Sequence, residues 1–310
     1  MQTYKFWHGL DEEDFNRAKL KEGVKLADIV YYQAGGEASL FFAPSEIKEF
    51  VKALSWARQN DVKTTILGLG TNVLISPQGL SGLVISTANL NRLYLDTDLI
   101  WAEAGVILAD LIEQFTRLGR CSAPGLVGIP GTVGGGLFMN AGAYDSELSA
   151  ILDKILLYKI DSGECYVRDH AVEDFSYRNS FLQAGEELVL AAAFKPSVVD
   201  SENSLIDLYE YQKRRRQSQP LAMPSCGSAF KRPKGHFVGK LISDMGWKGH
   251  REGNVGVSAK HAGFIVNYGV DSSQEIADFF DKVKSEVLKS FNLELEEEVK
   301  FLGDWQSTRN

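Results

Sequence analysis

The chain has 310 residues, of which 44% are hydrophobic and 24% charged, the composition of an ordinary soluble globular protein of two or three domains. Its net charge of −8 argues against bulk attraction to nucleic acid or anionic lipid, so an anionic ligand would need a local basic cluster. Three widely spaced cysteines argue against a disulfide framework or a zinc site, and an acidic N-terminus without an apolar core argues against a secretory signal, so we expect a cytoplasmic protein.

The first half of the chain is predicted to alternate helices with strands. Apolar residues recur at helical spacing over 43–60, and Ser45, which follows Pro44, is the expected N-cap. Residues 62–76 are rich in β-branched side chains on both sides of a glycine turn, which predicts a strand, a turn and a second strand. Two short strands and a helix are then predicted, over 83–87, 99–106 and 107–119 respectively.

The second half begins with strands predicted over 155–160, 165–170 and 188–196. The basic run 211–220 is typical of the tail of a helix that ends at a proline, and we expect a domain boundary near it. A helix over 272–291 opens with the capping box of Ser272 and Glu275. Residues 293–303 alternate as a strand does. Strands and helices are interspersed without strict βαβ rotation, which indicates an α+β fold with mixed or antiparallel sheets.

A first glycine-rich turn lies at Gly68–Asn72. Its spacing matches the start of a dinucleotide fingerprint, but Val73 stands where the third glycine belongs and the residues after it favour a strand, which excludes a Rossmann site. Glycine nevertheless lets a backbone approach a phosphate and point successive N–H groups at it, and Thr71 and Asn72 add side-chain donors. A tight strand connection is the alternative explanation.

A second segment, residues 122–144, contains seven glycines, two prolines and no charged residue. Glycine, proline and Asn140 leave it too weakly apolar for a membrane span. A flexible linker is also excluded, because Val133, Leu137 and Phe138 are side chains that favour burial. A buried glycine-rich backbone needs hydrogen-bond partners, which a large ligand with phosphates and a ring system would supply. Two such segments can grip opposite ends of one dinucleotide.

Six motifs occur in the order seen in one enzyme family: LGLGTNVLIS, GIPGTVGGGLFMNAGAY, FSYRNSF, QPLAMPSCGSAFKRP, KHAGFIVN and LEEEVKFLG. From about residue 60 to 303 the chain resembles the UDP-N-acetylenolpyruvoylglucosamine reductases, in the subtype that lacks an extra tyrosine-bearing loop. The resemblance implies FAD-dependent, NADPH-driven reduction of UDP-N-acetylglucosamine enolpyruvate to UDP-N-acetylmuramate in peptidoglycan precursor synthesis. It also implies a two-part FAD-binding region of the vanillyl-alcohol-oxidase (PCMH) type, over 1–90 and 91–205, and a C-terminal α+β substrate-binding domain over 206–310.

The resemblance assigns both glycine segments to FAD. The residues implied for the cofactor are Gly68, Gly70, Thr71, Asn72, Gly128, Ile129, Gly131, Thr132, Gly134, Gly135, Asn140, Ala141 and Gly142. No histidine lies near either segment, so we expect non-covalent FAD, although Cys121 is close in sequence. We expect a monomer that binds a small-molecule substrate, with no metal and no nucleic-acid or membrane partner.

The resemblance also implies the catalytic residues. Ser228 matches the proton donor, Arg178 the arginine at the substrate carboxylate, and Glu298 the second catalytic acid. From pattern alone the same residues would be a turn serine, a surface arginine and part of a solvated strand face. The implied substrate-side residues are Tyr177, Arg215, Lys240 and Asn267. Three adjacent arginines leave the register of Arg215 open by one, and we expect His261 to be structural.

Two departures from the family pattern stand out. Gln33 replaces the usual basic residue before a glycine pair, and Asp145 replaces the usual glycine after a tyrosine. Two other functions stay open at this point: another flavin oxidase or dehydrogenase of the same superfamily, and a catalytically silent flavin- or nucleotide-binding module. Either would keep the glycine segments without needing Ser228, Arg178 and Glu298 together.

Overall fold

The computed structural model describes residues 15–96, 98–120, 123–198 and 201–305. In these ranges helices and strands are interspersed, which confirms the predicted α+β class. The strands are β1 (Lys21–Lys25), β2 (Glu37–Phe42), β3 (Thr64–Leu67), β4 (Val73–Ile75), β5 (Leu80–Ser86), β6 (Leu93–Asp96), β7 (Leu99–Glu103), β8 (Gly142–Ala143), β9 (Ser146–Glu147), β10 (Leu152–Lys159), β11 (Cys165–Asp169), β12 (Phe175–Ser176), β13 (Asn179–Ser180), β14 (Glu187–Phe194), β15 (Arg251–Glu252), β16 (Val255–Val257), β17 (Ile265–Asn267) and β18 (Lys300–Leu302). The helices are α1 (Ile47–Gln59), α2 (Leu108–Arg117), α3 (Val133–Phe138), α4 (Ser201–Ser218), α5 (Val238–Asp244) and α6 (Ser273–Phe291).

The chain divides into two compact units that interleave along the sequence. Unit 1 comprises Met1–Lys21, Leu40–Leu69 and Gly82–Lys213, and unit 2 comprises Glu22–Ser39, Gly70–Ser81 and Arg214–Asn310. The last change of unit falls within the basic run 211–220. The three consecutive domains expected from the sequence stay a prediction.

Unit 1 is built on an antiparallel sheet with the strand order β11-β10-β14-β7-β6. Side chains on β10 alternate between two cores: Ile155 and Leu157 pack with α2, whereas Leu156 and Tyr158 pack with α1. Successive side chains of a strand point to opposite faces, so a sheet covered by a helix on each face needs apolar residues at every position. This explains the uninterrupted apolar run of β14.

Within unit 1, β3 pairs parallel with β5, from Thr64 opposite Leu83 to Leu67 opposite Ser86. The Thr87 N–H extends this pairing by donating to the Leu67 carbonyl at 2.8 Å. The end of β3 is therefore fixed immediately before the first glycine turn.

Unit 2 packs α5 and α6 with the antiparallel strands β15-β16-β17 and the parallel pair β18-β4. Phe280 of α6 lies at the centre of this core, with its ring centroid 5.3 Å from that of Phe230 and 5.4 Å from that of Phe301. The capping box at the start of α6 is confirmed, because Ser272 and Glu275 make both reciprocal bonds. The helix ends at Asn292 in the left-handed conformation, φ 52°.

Two local predictions are wrong. Ser45 is not the N-cap of α1: Glu46 takes that position, and the Glu49 carboxylate instead accepts bonds from the Ser45 N–H and hydroxyl at 3.0 and 3.2 Å. The strand predicted over 293–303 is regular only over Lys300–Leu302, since its parallel partner β4 reaches no further than Val73.

Within the described ranges, no helix is both long and apolar enough to cross a bilayer.

The Phe280 side chain supports unit 2 most directly, because it is fully buried among three other aromatic rings. We predict that Phe280→Ala lowers the free energy of unfolding by about 3–5 kcal/mol, through lost burial and a residual cavity. Leu288→Ala, on an exposed face of the same helix, should change it by less than about 0.5 kcal/mol. Urea titration of both variants tests this, and similar losses for the two would contradict it.

Candidate functional site

Gly68, the first residue of the first glycine turn, lies beside the second glycine segment in unit 1. Thr132 is buried, and its hydroxyl accepts a bond from the Gly135 N–H at 3.3 Å, which caps the start of α3. A Cβ added at Gly68 would overlap the Thr132 hydroxyl oxygen and lie 3.2 Å from its methyl carbon. The absence of a side chain at Gly68 thus lets the end of the first turn approach the second segment.

The second segment is docked along the chain that precedes α2. Gly134 N–H donates to the Ala104 carbonyl at 2.8 Å, and the Gly131 carbonyl accepts from Leu108 N–H at 3.0 Å. Gly128 and Gly131 adopt φ angles of 72° and 141°, which favour glycine. The expected burial of the apolar side chains in this segment is confirmed. Val133 and Leu137 are fully buried, and Ile129 and Phe138 pack partly buried against the same core.

Asn140 connects the second segment to its neighbours. Its Nδ2 donates to Glu147 Oε2 at 3.0 Å and to the Ser176 carbonyl at 3.1 Å, and its Oδ1 accepts from Ser149 N–H at 3.3 Å. The residue is fully buried with φ 42°. The amide of Asn140, which is predicted to line the flavin, therefore hydrogen-bonds the neighbouring segments of the protein. The sequence pattern did not indicate this role.

Arg178 lies at the tip of the β12–β13 hairpin, in the left-handed conformation with φ 55°. Its Nη2 donates to the Gly142 carbonyl at 2.9 Å, and its guanidinium lies 5.1 Å from the ring centre of the half-exposed Tyr177. Since Asn140 also holds Ser176 of this hairpin, the candidate carboxylate-binding arginine is fixed beside residues 140–142.

In unit 2 the first turn continues as Gly70–Val73. Gly70 is buried with φ 63°, and a Cβ there would lie 2.9 Å from the Val30 Cα. Its carbonyl accepts from Tyr31 N–H at 3.1 Å. The turn is therefore fixed against unit 2 by a contact that only glycine allows.

Asn72 joins this turn to the segment that carries Glu298. Asn72 Nδ2 donates to the Glu298 carbonyl at 3.0 Å, and the Asn72 carbonyl accepts from Lys300 N–H at 2.9 Å. Glu298 is half-buried, and its own N–H donates to the Ala229 carbonyl at 3.0 Å. The backbone of the candidate acid is thus bonded on both sides.

The same turn holds the segment of Ser228. The Cys226 thiol donates to the Val73 carbonyl at 3.2 Å, and burial raises the pKa of this thiol, so it stays a protonated donor. Ser228 itself is exposed and directly precedes Ala229, whose carbonyl bonds Glu298. The structure therefore brings the backbones of two predicted catalytic residues together within unit 2.

The remaining substrate-side residues differ in environment. Arg215 is buried in the last turn of α4, 3.3 Å from Gln219 Oε1, while Arg214 and Arg216 are exposed, so the structure distinguishes Arg215 among the three. Lys240 is exposed and pairs with Asp244 at 2.6 Å on α5.

Asn267 and His261 have structural contacts in unit 2. Asn267 is buried, with Nδ2 donating to the Tyr32 carbonyl at 2.7 Å and Oδ1 accepting from the N–H groups of Gly269 and Val270. His261 Nδ1 accepts from Gly263 N–H at 3.1 Å, and burial lowers the pKa of its ring. Gly263 in turn accepts the Ala229 N–H at 2.9 Å, so His261 supports the loop after Ser228.

Two lysines place positive charge near the Glu298 segment. Burial, followed by the charge of Lys231, lowers the pKa of Lys300. Lys231 Nζ pairs with Glu296 at 2.5 Å. Neither lysine was selected from the sequence, because alternation along 293–303 alone gave no reason to separate Lys300 from its neighbours.

Both departures from the family pattern adopt positive φ angles, 53° at Gln33 and 60° at Asp145. The left-handed backbone at Asp145 is the conformation that glycine adopts most readily, which accounts for the usual residue there. Cys121 lies outside the described residues.

The second glycine segment fits a flavin nucleotide. Gly128 and Gly131 place backbone without a side chain next to the neutral hydroxyl of Thr132, and a bulky, phosphate-bearing ligand can use such groups as hydrogen-bond partners. In the part of the chain that the structure describes, no group of three or more His, Cys, Asp or Glu side chains could hold a metal ion.

The chain is similar to known proteins over most of its length. Residues 38–162 match the family described as FAD binding domain, and residues 219–302 match the C-terminal domain of UDP-N-acetylenolpyruvoylglucosamine reductase. A reductase of that name from Pediococcus pentosaceus is 35% identical over 290 residues, covering 94% of this chain and 96% of the relative. One from Caldicellulosiruptor bescii is 35% identical, covering 91% and 90%. The crystal structure of the Thermus caldophilus enzyme superposes with a TM-score of 0.77 at 28% identity, covering 92% of this chain and 99% of that one.

The close approach of Gly68 to Thr132 gives a first test of the flavin site. We predict that Gly68→Ala weakens FAD binding about 10-fold or more, because the added methyl group displaces the Thr132 side chain from its cap. In a Thr132→Ala background the same change should cost much less. Flavin absorbance per protein and FAD titration of the apoprotein measure both, and equal losses in the two backgrounds would exclude this contact as the cause.

The buried His261 ring gives a pH test. Its pKa is lowered in the folded state, so the unfolded chain binds the proton more readily and stability falls as pH drops below about 6.5. We predict that the urea midpoint of the wild type falls more between about pH 7.5 and about pH 5 than that of His261→Asn, whose Oδ1 can accept the Gly263 N–H without titrating. Equal falls would show that His261 does not contribute.

Proposed function

Because the chain belongs to the UDP-N-acetylenolpyruvoylglucosamine reductases, FAD-dependent oxidoreductases of peptidoglycan precursor synthesis, we propose that NADPH is its reductant and that Ser228, Arg178 and Glu298 carry its chemistry. The substrate of the family is the small molecule UDP-N-acetylglucosamine enolpyruvate, which is reduced to UDP-N-acetylmuramate. The observation that carries the assignment of residues is the pair of hydrogen bonds to the Glu298 backbone, one from the Asn72 side-chain amide and one to the Ala229 carbonyl, next to Ser228.

Bound FAD supplies the redox chemistry, and the chain supplies binding, orientation and electrostatics. Gly68, Gly70, Thr71 and Asn72 are the proposed contacts to its pyrophosphate. Residues 128–135 and residues 140–142 are the proposed contacts to its flavin and ribityl groups. What supports the proposal is glycine backbone at Gly128 and Gly131 and the neutral donors beside it.

Ser228 is the proposed proton donor. Reduction of the enolpyruvyl double bond leaves negative charge on the carbon next to the substrate carboxylate, and the Ser228 hydroxyl transfers its proton to that carbon. A serine hydroxyl is a weak acid, so this transfer requires hydrogen-bond reach and nearby positive charge. The exposed position of Ser228 allows a substrate to approach it.

Arg178 is the proposed partner of the substrate carboxylate. A guanidinium there forms charge-assisted hydrogen bonds and stabilises the enolate-like charge that develops as the double bond is reduced. The bond from its Nη2 to the Gly142 carbonyl helps to orient the guanidinium. Glu298 is the proposed second acid, which we expect to orient the vinyl group or exchange protons at it.

We also propose that the protein is a cytoplasmic monomer. Among the described residues Cys165 and Cys226 carry free thiols, and thiols persist in a reducing compartment.

The half-reactions separate Ser228 from a structural role. We predict that in Ser228→Ala the flavin is still reduced by NADPH at close to the wild-type rate. Its reoxidation by the enolpyruvyl substrate should fall by about 10²–10⁴-fold, because only that step needs the proton. Ser225→Ala, which removes a hydroxyl bonded only locally to the Met223 carbonyl, is the matched control. Stopped-flow absorbance of the flavin measures both steps, and an equal loss in both half-reactions would contradict the role of proton donor.

A further inference from the structure

We infer that Asn72 is a positioning residue for Glu298, in addition to any contact it makes with FAD. This inference rests on the proposed role of Glu298 as a catalytic acid. It adds to that role the side chain which fixes where the acid sits, a side chain that motif resemblance places only in the cofactor loop.

The first step of the argument is the register of β4 and β18. Lys300 lies opposite Val73, and Lys300 N–H donates to the Asn72 carbonyl at 2.9 Å. If this parallel pairing continued regularly toward the N-terminal ends of the two strands, the next bond would run from the Asn72 backbone N–H to the Glu298 carbonyl. The Glu298 carbonyl accepts a bond at 3.0 Å, but its donor is the side-chain amide of Asn72.

The second step is the position of Glu298 relative to regular structure. Glu298 lies outside β18, in the bend between an isolated bridge at Glu297 and the first strand residue, Lys300. A residue beyond the end of a strand lacks the repeated bonds that fix strand residues in place. The side-chain bond from Asn72 replaces one of these bonds at the candidate acid, because it fixes the peptide group that follows the Glu298 Cα.

The third step is the opposite side of the same residue. Glu298 N–H donates to the Ala229 carbonyl at 3.0 Å, and Ala229 follows Ser228. The two peptide groups that flank the Glu298 Cα are therefore bonded, one to the Ser228 segment and one to Asn72. Removing the amide of Asn72 releases one of these two restraints and lets the Glu298 carboxyl move relative to Ser228.

An amide is needed here because the bond requires a donor. Alanine removes the donor, and aspartate presents an acceptor to the Glu298 carbonyl. Thr71 provides the comparison, because it shares the proposed pyrophosphate contact and is the neighbour of Asn72 in the same turn. A variant that only weakens FAD binding should behave like Thr71→Ala.

The experiment is a double-mutant cycle on the two half-reactions of the FAD-loaded protein, with wild type, Asn72→Ala, Glu298→Gln and the double variant, and with Thr71→Ala as control. We expect Asn72→Ala and Thr71→Ala both to weaken FAD binding. At saturating FAD only Asn72→Ala should slow flavin reoxidation by UDP-N-acetylglucosamine enolpyruvate, by about 10- to 100-fold, the effect of misplacing a catalytic group by about 1 Å. In the Glu298→Gln background the same change should cost less than about 2-fold, because the group that Asn72 positions is already lost.

Two results would overturn the inference. The first is the same fold-loss from Asn72→Ala in both backgrounds, or a loss confined to FAD affinity as in Thr71→Ala, which would make Asn72 a cofactor or fold residue only. The second is a Glu298→Gln variant that reoxidises at the wild-type rate, which would remove the proposed role of Glu298 and this inference with it. If Asn72→Ala loses its flavin, Asn72→Ser, which keeps a donor on a shorter side chain, replaces it in the same double-mutant cycle. If the losses in reoxidation rate from Asn72→Ser and Glu298→Gln are then additive, the inference is contradicted.

Discussion

The hydrogen bonds made by the turn Gly70–Val73 are the constraint on which the candidate chemistry of unit 2 depends. The turn accepts the Cys226 thiol and thereby holds the segment of Ser228, and it donates from Asn72 to hold Glu298. It can do so because Gly70, at φ 63°, packs directly on Val30 with no room for a side chain. One short loop that the sequence assigns to a cofactor is thus also the support of two candidate acids.

In unit 1 the second glycine segment is held mainly through its backbone. The second glycine segment has few side chains, yet its backbone is paired to residues 104–108 and its apolar side chains enter the core. That core forms because β10 and β14 place apolar side chains on both faces of the sheet, so α1 and α2 can cover opposite faces. The sheet is the rigid base on which Thr132, Asn140 and the Arg178 hairpin are held.

Predictions from the sequence are confirmed where they rest on a repeating hydrophobic pattern or on a motif whose hydrogen bonds are local. The α+β class, the main helices and the capping box at Ser272 are confirmed, because periodicity and capping are local properties. The family membership could be predicted because six motifs share one order, and the relatives confirm it. The prediction at Ser45 failed because the carboxylate of Glu49 satisfies that backbone from within the helix. Helix α3 was not expected, since three of its residues are glycines, which disfavour helix interiors.

Long-range contacts could not be predicted from the sequence. Asn72 and Glu298 are 226 residues apart, and no local pattern connects them. Asn140 was selected as a ligand contact, and its amide bonds residues of two neighbouring segments, at Glu147 and Ser149 and at Ser176. In both cases the site assignment stays a prediction, and only the fold shows which protein groups the side chain holds.

The central claim is that this chain reduces an enolpyruvyl ether through bound flavin, and an anaerobic absorbance experiment on the wild-type protein tests it most directly. The flavin band is bleached with NADPH, and UDP-N-acetylglucosamine enolpyruvate is then added without oxygen. The account predicts rapid return of the band with formation of UDP-N-acetylmuramate. A band that returns only when oxygen is admitted would contradict it and favour an oxidase, and a protein that binds no FAD would contradict the assignment of both glycine segments.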